Sequence, residues 1–142
     1  MHTAYLGLGS NLGNRKRNML EAVKLLNGQV GEVVATSSFY ETAPWGFDSP
    51  NKFINICVRV STPLTPRQLL EATQRIEHLM GRVEKSHNGI YHDRIIDIDI
   101  LLFDDIHIDD SDLVIPHPFM KERDFVMTPL REIIEPSVLE RL

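Results

Sequence analysis

Two acidic residues separated by a single isoleucine stand out within an apolar stretch of the chain. Asp97 and Asp99 lie in residues 94–103, whose β-branched and aromatic content is typical of a strand covered on both faces. Side chains alternate along a strand, so the two carboxylates share one face, with Cα atoms ~6.5 Å apart. Like charges this close repel each other unless a partner neutralises them. The alternation predicts Ile95, Asp97, Asp99, Leu101 and Phe103 on one face, and Ile96, Ile98, Ile100 and Leu102 on the other.

A divalent cation is one such partner. Mg²⁺ prefers carboxylate oxygens, takes one or two of them from the protein, and completes its shell with water and substrate phosphates. Two carboxylates on one face can also hold a pair of metal ions that clamps a phosphoryl group during transfer. The alternatives are that Asp97 and Asp99 lie at a solvated strand end or pair with nearby arginines. A motif of two carboxylates does not by itself decide among these interpretations.

A polar segment rich in cations leads directly into this strand. Residues 81–93 include Arg82 and Lys85, and Arg94 follows them. Long connections without regular structure are often functional lids, and cations beside two carboxylates suit a complex of metal and polyphosphate. A solvated loop is the alternative interpretation.

A second group of residues suits a flat ligand with a polar edge. Trp45 and Phe47 lie in a loop with prolines and a glycine, and Phe53 and Asn55 follow in a predicted strand. Aromatic rings stack on heterocycles, and an amide matches a heterocycle's donors and acceptors. Alternatively, the loop rings form a small cluster under their own loop, and Asn55 bonds nearby backbone.

Three glycines near the N-terminus offer a phosphate loop or a tight turn. Gly7, Gly9 and Gly13 are spaced G-x-G-x-x-x-G. This spacing matches neither the dinucleotide-binding fingerprint nor a P-loop. It favours a tight turn between a strand and a helix.

Hydrophobic periodicity predicts strands and helices that alternate along the chain. The strands are 3–8, 33–40, 53–61 and 94–103, and the helices are 15–27 and 65–80. Gly28 is expected to end the first helix. Thr65, Pro66 and Gln68 form the capping box of the second, with Gly81 at its end. Gln74 and Glu77 are expected off the buried stripe of that helix, on solvent or a ligand.

The C-terminal part is predicted to extend this core. It contains a short strand over 106–108, a helical turn over 119–123, and a helix over 125–134 capped by Asp124 and kinked or restarted at Pro129. The element order is the βαββαβ plan of ferredoxin-like folds, an α+β class with a mostly antiparallel sheet. In that plan the first and third strands are neighbours at its centre.

Bulk composition narrows the function. The 142 residues suit one domain, 1–142, and a net charge of −5 gives no general electrostatic attraction to nucleic acid or to an anionic membrane. The single cysteine, Cys57, is expected in the core. No secretion signal or membrane-spanning run is visible, so we expect a cytoplasmic protein. We also expect a monomer with small-molecule partners.

The motifs taken together resemble a known family, the 6-hydroxymethyl-7,8-dihydropterin pyrophosphokinases of folate biosynthesis. The resemblance covers nearly the whole chain, and its motifs are very specific in this order. They are Leu8-Gly9-Ser10-Asn11-Leu12, Ser37 to Thr42 with Pro44 and Gly46, Phe53-Ile54-Asn55, Gln74 to Glu77, Gly81-Arg82-Val83, Asp93 to Phe103, and Pro116-His117-Pro118 through Met120 and Arg123.

The resemblance implies an enzyme that transfers the terminal pyrophosphate of ATP to the hydroxymethyl group of the pterin and releases AMP. By resemblance, Asp97 and Asp99 bind two Mg²⁺, and Arg82 and Arg94 stabilise the transferring group. The nucleotide would contact Gln74, Glu77, Lys85, Ile100, His117 and Arg123. The pterin would contact Gly9, Asn11, Thr42, Ala43, Trp45, Phe53, Asn55 and Phe125, with Tyr91 as a closing residue.

Two other classes of function stay open at the level of sequence. An ordinary kinase or nucleotidyl transferase can share the acidic pair. A non-catalytic module that binds pterin or nucleotide can share the pocket, although the retained acidic pair and arginines argue against it.

Overall fold

The computed structural model describes residues 1–81 and 93–142. Its strands are β1 (His2–Ser10), β2 (Glu32–Thr36), β3 (Tyr40–Thr42), β4 (Phe53–Thr62), β5 (Asp97–Phe103), β6 (Ile108–Asp109) and β7 (Val114–Ile115). Its helices are α1 (Arg15–Gln29), α2 (Pro66–Leu79), α3 (Asp124–Ile133) and α4 (Pro136–Leu139), with a 3₁₀ turn at Met120–Glu122. The order of elements confirms the predicted βαββαβ plan.

The main sheet is antiparallel throughout its described pairings. Its strand order is β2-β4-β1-β5, and the short β3 pairs with one end of β4. The first and third predicted strands are therefore neighbours at the centre, as expected. The sheet, with helices on it, has the ferredoxin-like arrangement of an α+β fold.

Helices cover both faces of the sheet. Met19 and Leu26 of α1 and Ile76 of α2 join one apolar cluster, whereas Val126 and Leu130 of α3 join another. Side chains of β4 alternate between the two clusters: its isoleucines and valines pack against α1 and α2, and Cys57 packs against α3. The sheet is thus covered on both sides, and we call the two sides the α1/α2 face and the α3 face.

A β-bulge in β5 corrects the predicted alternation. Leu6 pairs with Ile100 and Tyr5 pairs with Leu102, so Leu101 is an extra residue on the β5 side. The Leu101 carbonyl instead accepts a hydrogen bond from the His117 amide at 3.0 Å. The face prediction is wrong beyond this point.

The bulge changes which cluster each following residue joins. Phe103 packs on the α1/α2 face, and Leu102 joins the α3 face beside Leu101. Asp97 and Asp99 precede the bulge, so their shared face is unaffected.

Two element boundaries also differ from expectation. The predicted strand 33–40 is divided because the Ser37 hydroxyl accepts the Cys57 amide at 2.9 Å, where a continuous ladder would use backbone. The first helix runs through Gly28 to Gln29, so Gly28 does not end it. The following turn uses Gly31, where a Cβ would lie 2.1 Å from the Ser61 carbonyl oxygen.

The predicted end signals of α2 are confirmed, whereas the predicted cap of α3 is wrong. Thr65 and Gln68 form the predicted capping box of α2, and Gly81 follows its end with φ of +98°. Asp124 lies in the first turn of α3 and is not its cap. The helix continues through Pro129, because burial of the neighbouring apolar residues of α3 outweighs one lost backbone hydrogen bond.

The extra short strand forms a separate hairpin and not an extension of the main sheet. β6 pairs with β7, and its first residue is Ile108. Arg67 of α2 holds the hairpin turn through an ion pair to Asp110 and a 2.7 Å ion pair to Asp112. Within the described ranges, no helix has both the length and the apolar character needed to cross a membrane.

Candidate active site

A pocket opens on the α3 face, at the end of β1, β4 and β5. It encloses about 620 Å³, part of which is open to solvent. Eleven of the residues predicted from the sequence line it: Gly9, Thr42, Ala43, Trp45, Phe53, Asn55, Arg94, Asp97, Asp99, Arg123 and Phe125. The topology therefore brings the acidic pair and the aromatic residues into one cavity.

The register of the sheet explains why the centre of this pocket is open. Gly9 of β1 lies between Asn55 of β4 and Asp97 of β5. One pair further along, Gly7 lies between Cys57 and Asp99. Adjacent strands are ~4.8 Å apart, so the side chains of β4 and those of β5 flank a groove that runs over β1. The floor of this groove has no side chains, because the β1 residues there are glycines. We call this the glycine-floored groove.

The alternating glycines are therefore neither a phosphate loop nor a turn. Gly7 and Gly9 belong to β1, and only Gly13 lies in the connection to α1, with φ of +68°. The predicted tight turn is therefore wrong for Gly7 and Gly9. Their role depends on which strands lie beside β1, and spacing along the chain does not carry that information.

We expect Gly9→Ala to weaken binding of a flat ligand by about tenfold. A Cβ at this position would lie 3.1 Å from the Asn55 Oδ1 atom and 3.3 Å from the Phe53 ring, closer than ordinary contact. The dissociation constant of the pterin that the sequence resemblance implies, measured by calorimetry, tests this expectation. Gly28→Ala is the control, because Gly28 lies on α1 outside the pocket lining and a Cβ added there would have no heavy atom within 4 Å. Equal affinities of the two variants would contradict the role of Gly9.

Arg94 connects the acidic pair to the aromatic side of the pocket. Its Nη1 atom lies 3.3 Å from Asp97 Oδ2, and its guanidinium carbon lies 5.7 Å from the centroid of the Phe53 ring. The pairing of an aspartate with an arginine, one of the alternatives from sequence, is thus present for Asp97. It does not exclude a metal, because the Asp97 side chain remains 18% exposed and both aspartates line the pocket.

The donor set on the acidic side fits a hard divalent cation that also binds substrate phosphates. Asp97 and Asp99 offer carboxylate oxygens from one face of β5. Across residues 1–81 and 93–142, no group of three or more histidine, cysteine or acidic side chains is placed to hold a metal. Two carboxylates without a complete protein cage are what Mg²⁺ uses when phosphates supply further oxygens.

The other side of the groove presents rings and an amide. Asn55 is buried, and its Nδ2 atom donates to the Thr42 hydroxyl at 2.7 Å, which fixes the direction of the amide. Phe47 packs edge-on against Phe53 with ring centroids 6.2 Å apart. Phe125 lines the same pocket from α3. These side chains can stack a heterocycle and hydrogen-bond its edge.

Arg123 lies at the pocket wall among three aromatic rings. Its guanidinium carbon is 4.3 Å from the centroid of Trp45, 5.5 Å from that of Phe119 and 5.6 Å from that of Phe125. Stacking on rings holds a guanidinium in place while leaving its edge able to bind anions. The aromatic loop thus supports a cation as well as lining the ligand space.

Five of the predicted residues that the structure describes lie outside the pocket lining. Gln74 is exposed on α2, His117 is half-buried, and Ile100 is buried in the α1/α2 core. Asn11 is buried and bonds the backbone of Arg94. Glu77 is only 2% exposed, and its Oε2 atom accepts the Ile98 amide at 2.8 Å.

The expected position of Glu77 off the buried stripe is therefore wrong, because a backbone donor of β5 lies opposite its carboxylate. Arg82, Lys85 and Tyr91 lie outside the described residues.

Sequence reasoning missed some lining residues. Phe47 had a signal as a loop aromatic but was not assigned to the site, and Leu101 had none. Cys57 lines the pocket from β4 but is 1% exposed, and burial raises the pKa of its thiol to about 12. The thiol is therefore protonated at neutral pH and is not a nucleophile.

Comparison with known proteins identifies a family and a shared fold. A profile of the 7,8-dihydro-6-hydroxymethylpterin-pyrophosphokinase (HPPK) family matches residues 5–135. The 2-amino-4-hydroxy-6-hydroxymethyldihydropteridine pyrophosphokinase of Porphyromonas gingivalis (strain ATCC 33277) is 46% identical over 134 residues, which is 94% of this chain and 91% of that protein. The folic acid synthesis protein FOL1 of Dictyostelium discoideum is 44% identical over 129 residues, 91% of this chain and 19% of that protein.

The fold has solved counterparts. A crystal structure of an HPPK-DHPS protein in complex with substrates superposes with a TM-score of 0.75 at 17% identity. The likeness covers 93% of this chain, which spans 40% of that longer chain. At this identity the superposition shows a shared fold and nothing further.

Fold, pocket and relatives together define the class of the protein as an enzyme, a pyrophosphokinase on a ferredoxin-like α+β scaffold. The 46% identity over nearly the full length of both chains narrows the class to one family. The chain belongs to the 7,8-dihydro-6-hydroxymethylpterin-pyrophosphokinase family.

Proposed function

We propose that the enzyme transfers the terminal pyrophosphate of ATP to the hydroxymethyl group of 6-hydroxymethyl-7,8-dihydropterin, as a step of folate biosynthesis. The glycine-floored groove is the observation that supports this proposal most strongly. It has Asn55 and Phe53 on one side and Asp97 and Asp99 on the other. A flat ring lying over Gly9 has its polar edge near the amide and its substituent near the carboxylates.

The proposed reaction breaks one bond and forms one. The hydroxymethyl oxygen attacks the β-phosphorus of ATP, and the bond from that phosphorus to the oxygen bridging the α-phosphate breaks. The alcohol releases its proton to solvent, and AMP leaves with the bridging oxygen. The products are the pterin diphosphate and AMP.

The protein's part in this reaction is to bind, orient and neutralise charge. Asn55, oriented by Thr42, recognises the pterin edge, while Phe53 and Phe125 stack on its faces. Arg94 and Arg123 place guanidinium groups at the pocket wall, where they stabilise negative charge on the transferring group. The nucleotide contacts of Gln74, Glu77, Lys85, Ile100 and His117 stay predictions, as do those of Arg82 and Tyr91.

Asp97 and Asp99 are the residues that would hold Mg²⁺, two ions in the proposed mechanism. When bound, the ions supply charge neutralisation on the phosphates and lower the pKa of a coordinated alcohol. This arrangement lessens the need for a dedicated general base. Small-molecule substrates, a monomeric state, no nucleic-acid or membrane partner and a cytoplasmic location stay predictions from the sequence.

Identification of the nucleotide product tests the proposed function. ATP, Mg²⁺ and 6-hydroxymethyl-7,8-dihydropterin are incubated with the enzyme, and adenine nucleotides are separated by chromatography. We expect AMP in a one-to-one ratio with pterin diphosphate. ADP would indicate an ordinary kinase, and free pyrophosphate would indicate a nucleotidyl transferase. Pterin binding without any nucleotide product would indicate a binding module.

A further inference from the structure

The carboxylate of Asp93 joins two loops that are far apart in the sequence. Its Oδ1 atom accepts from Asn11 Nδ2 at 2.7 Å, and its Oδ2 atom accepts from Asn51 Nδ2 at 2.9 Å. The Ser49 side chain is a further donor and the main reason that the pKa of Asp93 lies below its ordinary value. We call Asn11, Ser49, Asn51 and Asp93 the Asp93 clasp.

One member of the clasp also holds the backbone of Arg94. Asn11 Oδ1 accepts a hydrogen bond from the Arg94 backbone amide at 2.7 Å, and the backbone amide of Asn11 donates to the Arg94 carbonyl at 3.0 Å. Asn11 is 3% exposed, so these hydrogen bonds are shielded from water. Its Nδ2 atom additionally donates to the Asn51 carbonyl at 3.1 Å.

The clasp therefore connects the two halves of the pocket. Ser49 and Asn51 end the loop that carries Trp45 and Phe47, just before β4. Asp93 directly precedes Arg94, whose guanidinium lies between Asp97 and the Phe53 ring. A shift of residues 43–52 relative to Arg94 would break hydrogen bonds to the Asp93 carboxylate.

We propose that Asp93 is a positioning residue that sets the distance between the aromatic loop, residues 43–52, and the guanidinium of Arg94. It acts through Asn51 and Asn11 and does not contact the substrates itself. The expected changes in kinetics rest on the proposed function. The expected changes in structure rest only on the hydrogen bonds of the clasp.

The donors and acceptors of the clasp permit a swap experiment. In D93N, one oxygen is replaced by an NH₂ group that faces the NH₂ of Asn11 or Asn51, so one hydrogen bond is lost and two donors oppose each other. In N51D, two carboxylates face each other and repel. In the double variant D93N/N51D, the amide at position 93 donates to the carboxylate at position 51 and still accepts from Asn11. The double variant therefore restores complementary groups.

We expect D93N to raise the dissociation constant of the pterin, measured by calorimetry, by about tenfold and to lower kcat by a similar factor. The KM for ATP should change less than the dissociation constant of the pterin, because the clasp holds the aromatic loop directly and reaches the phosphates only through Arg94. The double variant should return both quantities to within about threefold of the unaltered enzyme. A residue important only for folding would not give a loss of pterin affinity and kcat, larger than the change in KM for ATP, that a charge swap repairs.

Hydrogen exchange provides a readout that is independent of activity. The Asn51 amide, which donates to Ser49 Oγ at 3.1 Å, and the Arg94 amide, which donates to Asn11 Oδ1 at 2.7 Å, should exchange about tenfold faster in D93N and regain their protection in the double variant. If the unaltered enzyme forms no AMP, the proposed function fails, while this exchange pattern still tests the clasp.

Three results would overturn the proposal. Unchanged pterin affinity and unchanged exchange in D93N would show that the clasp positions nothing. A double variant as impaired as D93N would show that complementary hydrogen bonds are not the cause. If D93N does not fold, N51D takes its place, and normal pterin binding and normal exchange in N51D would equally reject the proposal.

Discussion

Asp97→Asn is expected to lower kcat about a thousandfold while leaving the fold intact. The substitution keeps the size of the side chain but removes one of the two negative charges that face the pocket from β5. Loss of a charge that organises a polyphosphate removes several kcal/mol of transition-state stabilisation, and each 1.36 kcal/mol is about a tenfold change in rate. The measurement is AMP formation at saturating ATP and pterin. Asp99→Asn should behave in the same way.

The stability of Asp97→Asn should change by no more than about 1 kcal/mol. The variant loses the 3.3 Å contact with Arg94 but also loses the repulsion from Asp99. Thermal unfolding measures this change. Asp105→Asn is the matched control, because Asp105 is exposed just beyond the end of β5 and outside the pocket lining. If Asp97→Asn turned over as fast as Asp105→Asn, the assigned role of the acidic pair would be wrong.

Calorimetry separates the metal's role from other effects of the substitution. ATP should bind the unaltered enzyme tightly with Mg²⁺ and at least about tenfold more weakly in chelator, because the acidic pair repels bare phosphates. In Asp97→Asn the difference between the two conditions should shrink. Equal ATP affinity with and without Mg²⁺ in the unaltered enzyme would count against a metal site at Asp97 and Asp99.

Arg94→Ala is the substitution with the second largest expected effect, a loss of about a thousandfold in kcat. Arg94 combines burial, a contact with Asp97 and a position over Phe53, so its guanidinium is held at the junction of the two halves of the pocket. A positioned arginine that neutralises a transferring phosphoryl group contributes about 10³-fold or more to the rate. Arg94→Lys should recover only part of the loss, since an ammonium lacks the planar fork that binds two oxygens at once.

The stability cost of Arg94→Ala should be about 2 kcal/mol. This is less than the cost of breaking a fully buried ion pair, because Asp97 remains 18% exposed. Arg131→Ala on the exposed face of α3 is the control, and it should retain normal turnover and stability. Normal turnover in Arg94→Ala would contradict the assignment of this arginine to the transferring group.

The parts of the fold that were predictable from sequence depend on short-range signals. The capping box of Thr65 and Gln68, the alternation of β4 and the shared face of Asp97 and Asp99 all follow from residues within a few positions of each other. The bulge at Leu101 left no such signal. Leu101, Leu102 and Phe103 are all apolar, so an extra residue among them does not disturb the pattern.

Features that depend on distant partners could not be predicted. Glu77 is buried because the Ile98 amide lies opposite it, and the residues next to Glu77 in the sequence do not predict that donor. Gly9 acts as a floor only once β1 lies between β4 and β5. The individual site residues stay predictions, although the topology brings most of them into one pocket.

The stacking of Arg123 on Trp45 makes the fluorescence of the protein sensitive to what occupies the pocket. Trp45 is the only tryptophan in the sequence, so ultraviolet emission above the tyrosine range comes from one indole at the wall of the pocket. A positive group 4.3 Å from the ring centroid changes the electronic surroundings of that indole. Any ligand that draws the guanidinium away should alter the colour or brightness of the emission. The intrinsic fluorescence of Trp45 can thus report ligand binding, and binding can be titrated without an attached dye.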